Sequence, residues 1–274
     1  MSVEALSAAA SFLFVPGNRP ERFDKAVAAG ADQVIIDLED AVAPAAKAEA
    51  REAMSRWAGR TGAVVRINAP GTPWHDADIA ACTSAGVGAV MAAKAEDPRQ
   101  LARLHDLTGL PIVALVETAL GIEDVRAVAA APGVRRLAFG AIDLALDLGL
   151  SVPDEALDGF RLRLTSASRL AGLAAPIDGV QTDFRNADRL ADDVRRAAGL
   201  GFTGKLCIHP AQVAIVSARF APSAEAIAWA TRVAAVGEDA VALAGEMIDK
   251  PVRDRARLIL AHAGRLGLSG NTAG

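Results

Sequence analysis

The stretch GLPIVALVETALG, residues 109–121, decides the fold. From Pro111 to Val116 it is a continuous apolar run, the pattern of a parallel strand buried on both faces. It ends on Glu117, and an ionised carboxylate is costly to bury unless something pairs with it. Seven more runs of the same kind flank it: SFLFV (11–15), QVIID (33–37), AVVRI (63–67), GAVMAA (88–93), RRLAF (135–139), APIDGV (175–180) and KLCI (205–208). Between them lie segments with apolar residues three and four apart, such as ERFDKAVAAG and NADRLADDVRRAAGLG, which read as amphipathic helices. Several of these helices end on Gly, the usual C-terminal stop. The first residues of the strand runs climb from 11 to 205, a mean step of about 28 residues, the size of one strand plus its helix.

Eight strand–helix units without a composition break predict an α/β fold, a closed (β/α)8 TIM barrel over residues 1–220. The rival, an open doubly wound sheet, often carries a Gly-rich phosphate turn after its first strand, and no G-x-G-x-x-G occurs in the chain. After residue 210 the sequence reads as helical to its end, with breaks at APS (221–223) and DKP (249–251). A C-terminal helical extension over 221–274 exceeds what one barrel helix requires, and is expected to serve oligomer contacts or a lid.

Composition excludes several functions. Hydrophobic residues make up 52% and charged residues 23%, a balance with ample material for a core. A net charge of −4 offers no field for nucleic acid or an anionic membrane. No apolar run approaches the roughly 18 residues of a membrane span. The start MSVEALSAAASFLF has no basic residue and does not read as a signal peptide. Two cysteines, Cys82 and Cys207, form neither metal spacing nor a disulfide framework, so a cytoplasmic location is expected.

A barrel of this kind keeps its chemistry where strands end and βα loops begin. Strand two ends at Asp37 with Glu39 and Asp40 following, strand three at Arg66 beside Asn68, strand four at Lys94 and strand five at Glu117. Strand six runs into Asp143, strand seven into Gln181, Thr182 and Asp183, and strand eight into His209. Acids and bases therefore converge on one rim. Glu117 and Asp143, at the ends of neighbouring strands, have two readings. They share one hard cation such as Mg²⁺, which takes one or two carboxylates and completes its octahedron with water and substrate oxygens; or each caps the helix that follows, a role that suits Asp better than Glu. Arg66 reads equally as a carboxylate or enolate clamp and as a rim salt bridge to Asp37 or Glu39. Asp37 is a candidate to order metal-bound water. Glu39 and Asp40 read alternatively as the start of the next helix, and Lys94 as a residue holding the acids of strands three and five in place. His75, His105 and His262 form no ligand spacing.

In order along the chain stand FVPGNRPERFDKA, VIIDLEDAVAP, VVRINAPGT, ALVETALGI, FGAIDLALDLG, DGVQTDFRN, GKLCIHPAQ and MIDKPV. Together they resemble the citrate lyase beta-subunit-like family, relatives of the malyl-, citryl- and citramalyl-coenzyme A lyases, over residues 11–260. The resemblance implies a (β/α)8 barrel, typically in homotrimers or hexamers, that uses Mg²⁺ to cleave or form a carbon–carbon bond in a 3-hydroxyacyl thioester, with Mn²⁺ as the alternative ion. It puts the metal carboxylates on Glu117 and Asp143 and the substrate-clamping arginine on Arg66. Coenzyme A and acyl contacts fall on Phe14, Arg19 and Lys25, and further substrate contacts on Ile142, Ile208 and His209. A general acid/base, delivered by a neighbouring subunit in several relatives, falls on Asp249. The chain departs from the pattern at Ile142, where many relatives carry an acid, and at Ala93, where a Pro is usual. Alternatives are a metal-dependent pyruvate-type aldolase on free oxo acids, a beta subunit acting only within a multi-subunit citrate lyase on a carrier-bound acyl group, and a malate synthase-like condensation.

Overall fold

The computed structural model describes residues 2–60, 62–151, 154–236, 241–243, 246–265 and 268. Eight strands close into one barrel in chain order: β1 (Ser11–Pro16), β2 (Gln33–Asp37), β3 (Val64–Ile67), β4 (Ala89–Ala92), β5 (Ile112–Val116), β6 (Val134–Phe139), β7 (Ile177–Asp178) and β8 (Gly204–Cys207). Every neighbouring pair is parallel, with β1 paired to both β2 and β8. This is the (β/α)8 barrel that the continuous apolar runs predict.

Strand side chains that alternate inward fill the barrel with Phe12, Ile35, Val64, Met91, Leu115 and Ile177 among others. The bottom is plugged by the N-terminal helix Val3–Ala8, whose Leu6 is fully buried. Arg136 of β6 is buried against this plug and donates to the carbonyls of Leu6 (3.1 Å), Ala9 (2.6 Å) and Ala175 (2.7 Å), and to Thr203 Oγ1 (2.9 Å). Those oxygens include carbonyls that the helix end leaves without intrahelical partners. Lacking a direct carboxylate partner, Arg136 is pushed down to about 9 by burial.

Two features differ from the sequence expectation. The run 175–180 yields only the two-residue strand β7: Pro176 has no N–H to give the ladder, and Gly179 passes so close to β6 that a Cβ there would stand 3.0 Å from the Phe139 carbonyl. The tail is not helical to its end. Between the helices Ala224–Ala234 and Lys250–Arg265 lies a hairpin, β9 (Val241–Leu243) with β10 (Glu246–Ile248), antiparallel with Leu243 opposite Glu246. Strands of three residues carry too little alternation to stand out from flanking helical patterns. The chain divides into two compact units, residues 1–217 and 218–274. In the second, Ala230, Val233, Ile248 and Ala256 form a core of their own.

Candidate active site

Asp37, the last residue of β2, bends the chain back on itself. Its Oδ1 accepts the Glu39 N–H (2.9 Å) and its Oδ2 the Ala41 N–H (3.1 Å). Across the β2–β3 pair Arg66 grips the same carboxylate with two parallel bonds, Nε to Oδ1 at 2.8 Å and Nη2 to Oδ2 at 2.7 Å. Its Nη1 lies 3.1 Å from Glu39 Oε2, and the guanidinium stacks 4.8 Å from the centre of the Phe14 ring on β1. Both salt-bridge partners weighed for Arg66 are thus present. Burial opposes its charge, yet Asp37 and Glu39 outweigh that and hold its pKa above the usual arginine value. Asp37 has both oxygens committed, so the role of ordering metal-bound water does not suit it. Glu39 does not start the next helix; it turns inward and is buried, and burial raises its pKa even against Arg66.

Lys47 explains why the Glu39 turn is fixed. Its buried ammonium donates to the carbonyls of Leu38 (2.8 Å) and Glu39 (2.8 Å) and to Asn68 Oδ1 (2.7 Å), using all three of its protons. Asn68 Nδ2 in turn donates to the Leu38 carbonyl and to buried Asp78.

Lys94 joins this group to β5. Its φ of +48° is the only positive φ of a non-glycine residue among those described. That conformation aims its N–H at Glu117 Oε1, 2.8 Å away, while Nζ lies 3.3 Å from Glu39 Oε1. The acids that Lys94 links are therefore those of β5 and of the β2 loop, not of strands three and five. Burial would lower Lys94, but Glu39 and Glu117 hold it above the usual lysine value.

Glu117 is 2% exposed. Burial pushes its carboxyl up to about 8, against the Lys94 N–H and Arg66, with Glu39 and Asp143 adding to the rise. Its neighbour Gly140 follows β6, and a Cβ there would overlap the Glu117 Cβ and stand 2.7 Å from Oε2. Asp143 follows on the first turn of the helix Ala141–Asp147. Neither acid is a helix cap: Thr118 Oγ1 caps the helix after β5 by accepting the Gly121 N–H (3.1 Å), and the cap position after β6 is Gly140. Both carboxylates are thereby left to a different partner. Among the described residues no cluster of three or more His, Cys, Asp or Glu forms a metal set. Two carboxylates from adjacent strand ends nevertheless fit a hard divalent ion that draws its other ligands from water and substrate. Five carboxylates (Asp37, Glu39, Asp40, Glu117, Asp143) here face three bases, Arg66, Lys94 and Lys47, an excess of two that a divalent cation answers.

The other sequence candidates occupy the same rim or the second unit. Arg19 and Lys25 are exposed after β1, with Arg19 4.0 Å from Glu21. Ile142 is 51% and Ile208 41% exposed. His209 stacks on Phe184 with ring centres 4.5 Å apart. Asp249 belongs to the second unit, where its Oδ1 accepts the Val252 N–H (3.1 Å) at the start of the last helix. Sequence reasoning missed Gln212. Buried, it accepts the N–H groups of Ile208 (2.8 Å) and His209 (3.2 Å) and donates to the Gln181 carbonyl (2.8 Å), tying the β7 and β8 loops together. The signal was in HPAQ: a Pro at the first helical position and a Gln two residues later reach back as in a capping box.

A closed parallel barrel with acids and bases gathered where its strands end is the architecture of an enzyme. The chain belongs to the HpcH/HpaI aldolase/citrate lyase family, whose model matches residues 10–210, and it is a lyase of that class. It is 39% identical over 272 residues to the citrate lyase subunit beta-like protein of Mycobacterium tuberculosis, covering 94% of this chain and 97% of the relative. It is 31% identical over 287 residues to the mitochondrial citramalyl-CoA lyase of Rattus norvegicus, covering 92% and 85%. The crystal structure of protein CitE from Mycobacterium tuberculosis in complex with magnesium, acetoacetate and coenzyme A superposes with a TM-score of 0.85 at 37% identity, covering 94% of this chain and 99% of that one. Among the described residues no helix is long and apolar enough to cross a membrane.

Proposed function

We propose that this chain is a Mg²⁺-dependent carbon–carbon lyase that cleaves, or forms, a 3-hydroxyacyl-coenzyme A thioester such as a citryl, malyl or citramalyl ester, giving an acyl-CoA and a 2-oxo acid. The observation that carries the reading is that Glu117 packs against Gly140 while Asp143, three residues on, acts on it through its charge, with neither acid used as a cap. The magnesium and coenzyme A held by the CitE relative point the same way.

In this reading Glu117 and Asp143 hold the ion, with Mn²⁺ able to replace it. When bound, the ion supplies Lewis-acid polarisation of the oxo-acid oxygens. The chain's own residues do the rest. Lys94 N–H fixes one oxygen of Glu117, so the carboxylate keeps a single orientation. Arg66, pinned by Asp37 and stacked on Phe14, places fixed positive charge where oxyanion character develops. In the cleavage direction the 3-hydroxyl loses its proton, the bond between C2 and C3 breaks, and its electron pair becomes the thioester enolate. The enolate carbon then takes a proton, which we assign to Asp249 delivered from a neighbouring subunit of a homotrimer or hexamer. Phe14, Arg19 and Lys25 contact coenzyme A, and Ile142, Ile208 and His209 border the acyl fragment. Buried Cys82 and Cys207, whose thiols burial pushes up to about 12, suit a reducing cytoplasm.

The test is Mn²⁺ binding to the purified protein by electron paramagnetic resonance, alongside turnover of citryl-, malyl- and citramalyl-CoA. Glu117→Gln is expected to lose Mn²⁺ binding by at least about tenfold, since a neutral amide replaces one of two charged ligands, and to lose turnover with it. A folded Glu117→Gln that binds Mn²⁺ as wild type does would overturn the assignment.

A further inference from the structure

The loops after β7 and β8 together hold one histidine in a fixed orientation. His209 stands just before the helix Pro210–Phe220, and its ring Nδ1 accepts the Ala211 N–H at 3.2 Å. In the neutral imidazole the proton therefore sits on Nε2. Among the described residues Nε2 meets no hydrogen-bond partner. The main chain of His209 is fixed as well, its N–H donating to Gln212 Oε1 at 3.2 Å. Phe184 covers one face of the ring, with centres 4.5 Å apart and planes 16° from parallel. Phe184 is itself 41% exposed, so the stack rather than a core pocket accounts for where its ring lies. Its loop is braced at both ends. Asp183 N–H donates to Gln181 Oε1 (3.0 Å), and Asn186 Oδ1 accepts the Arg189 N–H (3.0 Å) to cap the helix Ala187–Gly199.

Strand register puts this pair on the rim beside the arginine clamp. The last rung between β8 and β1 joins Cys207 to Leu13. One residue further along stand Ile208 and Phe14, the ring on which Arg66 stacks, and His209 follows. An imidazole whose Nδ1 is occupied in this way gives a hydrogen bond through Nε2 and cannot take a proton there. Resting on the lyase reading above, in which His209 borders the acyl fragment, we propose that His209 is a hydrogen-bond donor to the thioester oxygen and that Phe184 is the positioning residue that aims it. That oxygen gains negative charge as the thioester becomes an enolate, so the aim of the donor matters most in the transition state. His209 is then not the base that takes the 3-hydroxyl proton.

Two measurements on the full-length protein test this. In the first, isotope-labelled histidine is observed by NMR through its long-range nitrogen couplings at about pH 8.5, where an ordinary imidazole is neutral. His209→Gln identifies the signal. A proton on Nε2 of His209 and none on Nδ1 is expected; a protonated Nδ1 overturns the donor assignment. In the second, kcat and KM for citryl-, malyl- and citramalyl-CoA are measured in variants whose fold is checked by thermal melting. Phe184→Ala and Phe184→Leu are expected to lower kcat by about threefold to tenfold, the scale of one aromatic pair, with KM moved by less than about twofold. Phe184→Trp, which keeps a ring on His209, is expected to stay within about twofold of wild type. In a His209→Ala background, Phe184→Ala is expected to cost nothing further, because the residue it aims is gone. Unchanged kcat in Phe184→Ala, or the same fractional loss with and without His209, overturns the proposal. A folded wild type that turns over none of the three thioesters overturns the lyase reading instead, while the histidine spectrum still decides the donor geometry.

Discussion

A methyl group on residue 140 would stand 2.7 Å from Glu117 Oε2. The φ of Gly140, −97°, is open to any residue, so the glycine serves space and not backbone conformation. Gly140→Ala is therefore expected to push Glu117 out of place, destabilising the metal-free protein by about 1–3 kcal/mol through overpacking and weakening Mn²⁺ binding. Urea denaturation and a Mn²⁺ titration check both, and a variant unchanged in both shows the space is not needed. Lys94 makes the opposite case, because its φ of +48° does strain a side chain. Lys94→Gly keeps the N–H that holds Glu117 and gives up only a partly exposed pair with Glu39, so its melting temperature is expected to match or exceed wild type. A clear fall would show that the side chain, not the main chain, carries the stability. These positions also mark how far the sequence could be read. Glu117 was legible because an acid ending an apolar run demands a partner. Arg66 was legible as one of two alternatives, and the paired one is present. The αL turn at Lys94 was not, since no residue type announces it, and nothing in the sequence marks Gly140 as the space beside Glu117.

At the scale of elements, the strands were legible because parallel strands buried on both faces show as unbroken apolar runs. β7 was overestimated because Pro176 and Gly179 cut it short, and what anchors its two residues includes charge. Asp178, fully buried on β7, accepts Nε of Arg161 at 2.8 Å and is also bonded by Lys205 Nζ from β8. Arg161, from the helix Asp158–Leu170, binds Asp154 and Asp158 as well, and these acids also pair with Arg196 of the helix Ala187–Gly199. No spacing in the sequence marks such a network, since its members lie far apart along the chain. Asp178→Asn is expected to cost about 3–5 kcal/mol, because it leaves two buried cations short of their counter-charge; a loss under about 1 kcal/mol in urea denaturation would contradict this. Burial alone would raise Asp178, but Lys205 and Arg161 hold it below the usual aspartate value. An acid lowered in the folded state stabilises the fold above its unfolded pKa and loses that contribution as pH falls through the folded one. Wild-type stability is thus expected to drop steeply below about pH 4, with a shallower drop in Asp178→Asn.

For the whole molecule, the proposed chemical role of Asp249 can be separated from its structural one. Within its own unit it caps the last helix, a role any Asn, Ser or Thr fills comparably. Asp249→Asn is therefore expected to fold with its helix intact while losing proton transfer, which separates a chemical role from a structural one. If the aspartate of one subunit serves the carboxylate pair of the next, a homo-oligomer of Asp249→Asn and a homo-oligomer of Glu117→Gln should each be inactive. Co-expressed and purified as mixed oligomers, they should regain activity. An active site then forms wherever an Asp249→Asn subunit, with its own Glu117, meets a Glu117→Gln subunit that supplies Asp249. Random mixing of equal amounts makes that roughly one site in four, because interfaces in a closed ring are all of one kind. Turnover of the mixed sample near a quarter of wild type, absent when the separately purified oligomers are combined without exchange, supports the shared site. Mixed oligomers no more active than either parent would confine each site to one chain, and the second unit would then owe its place to assembly alone.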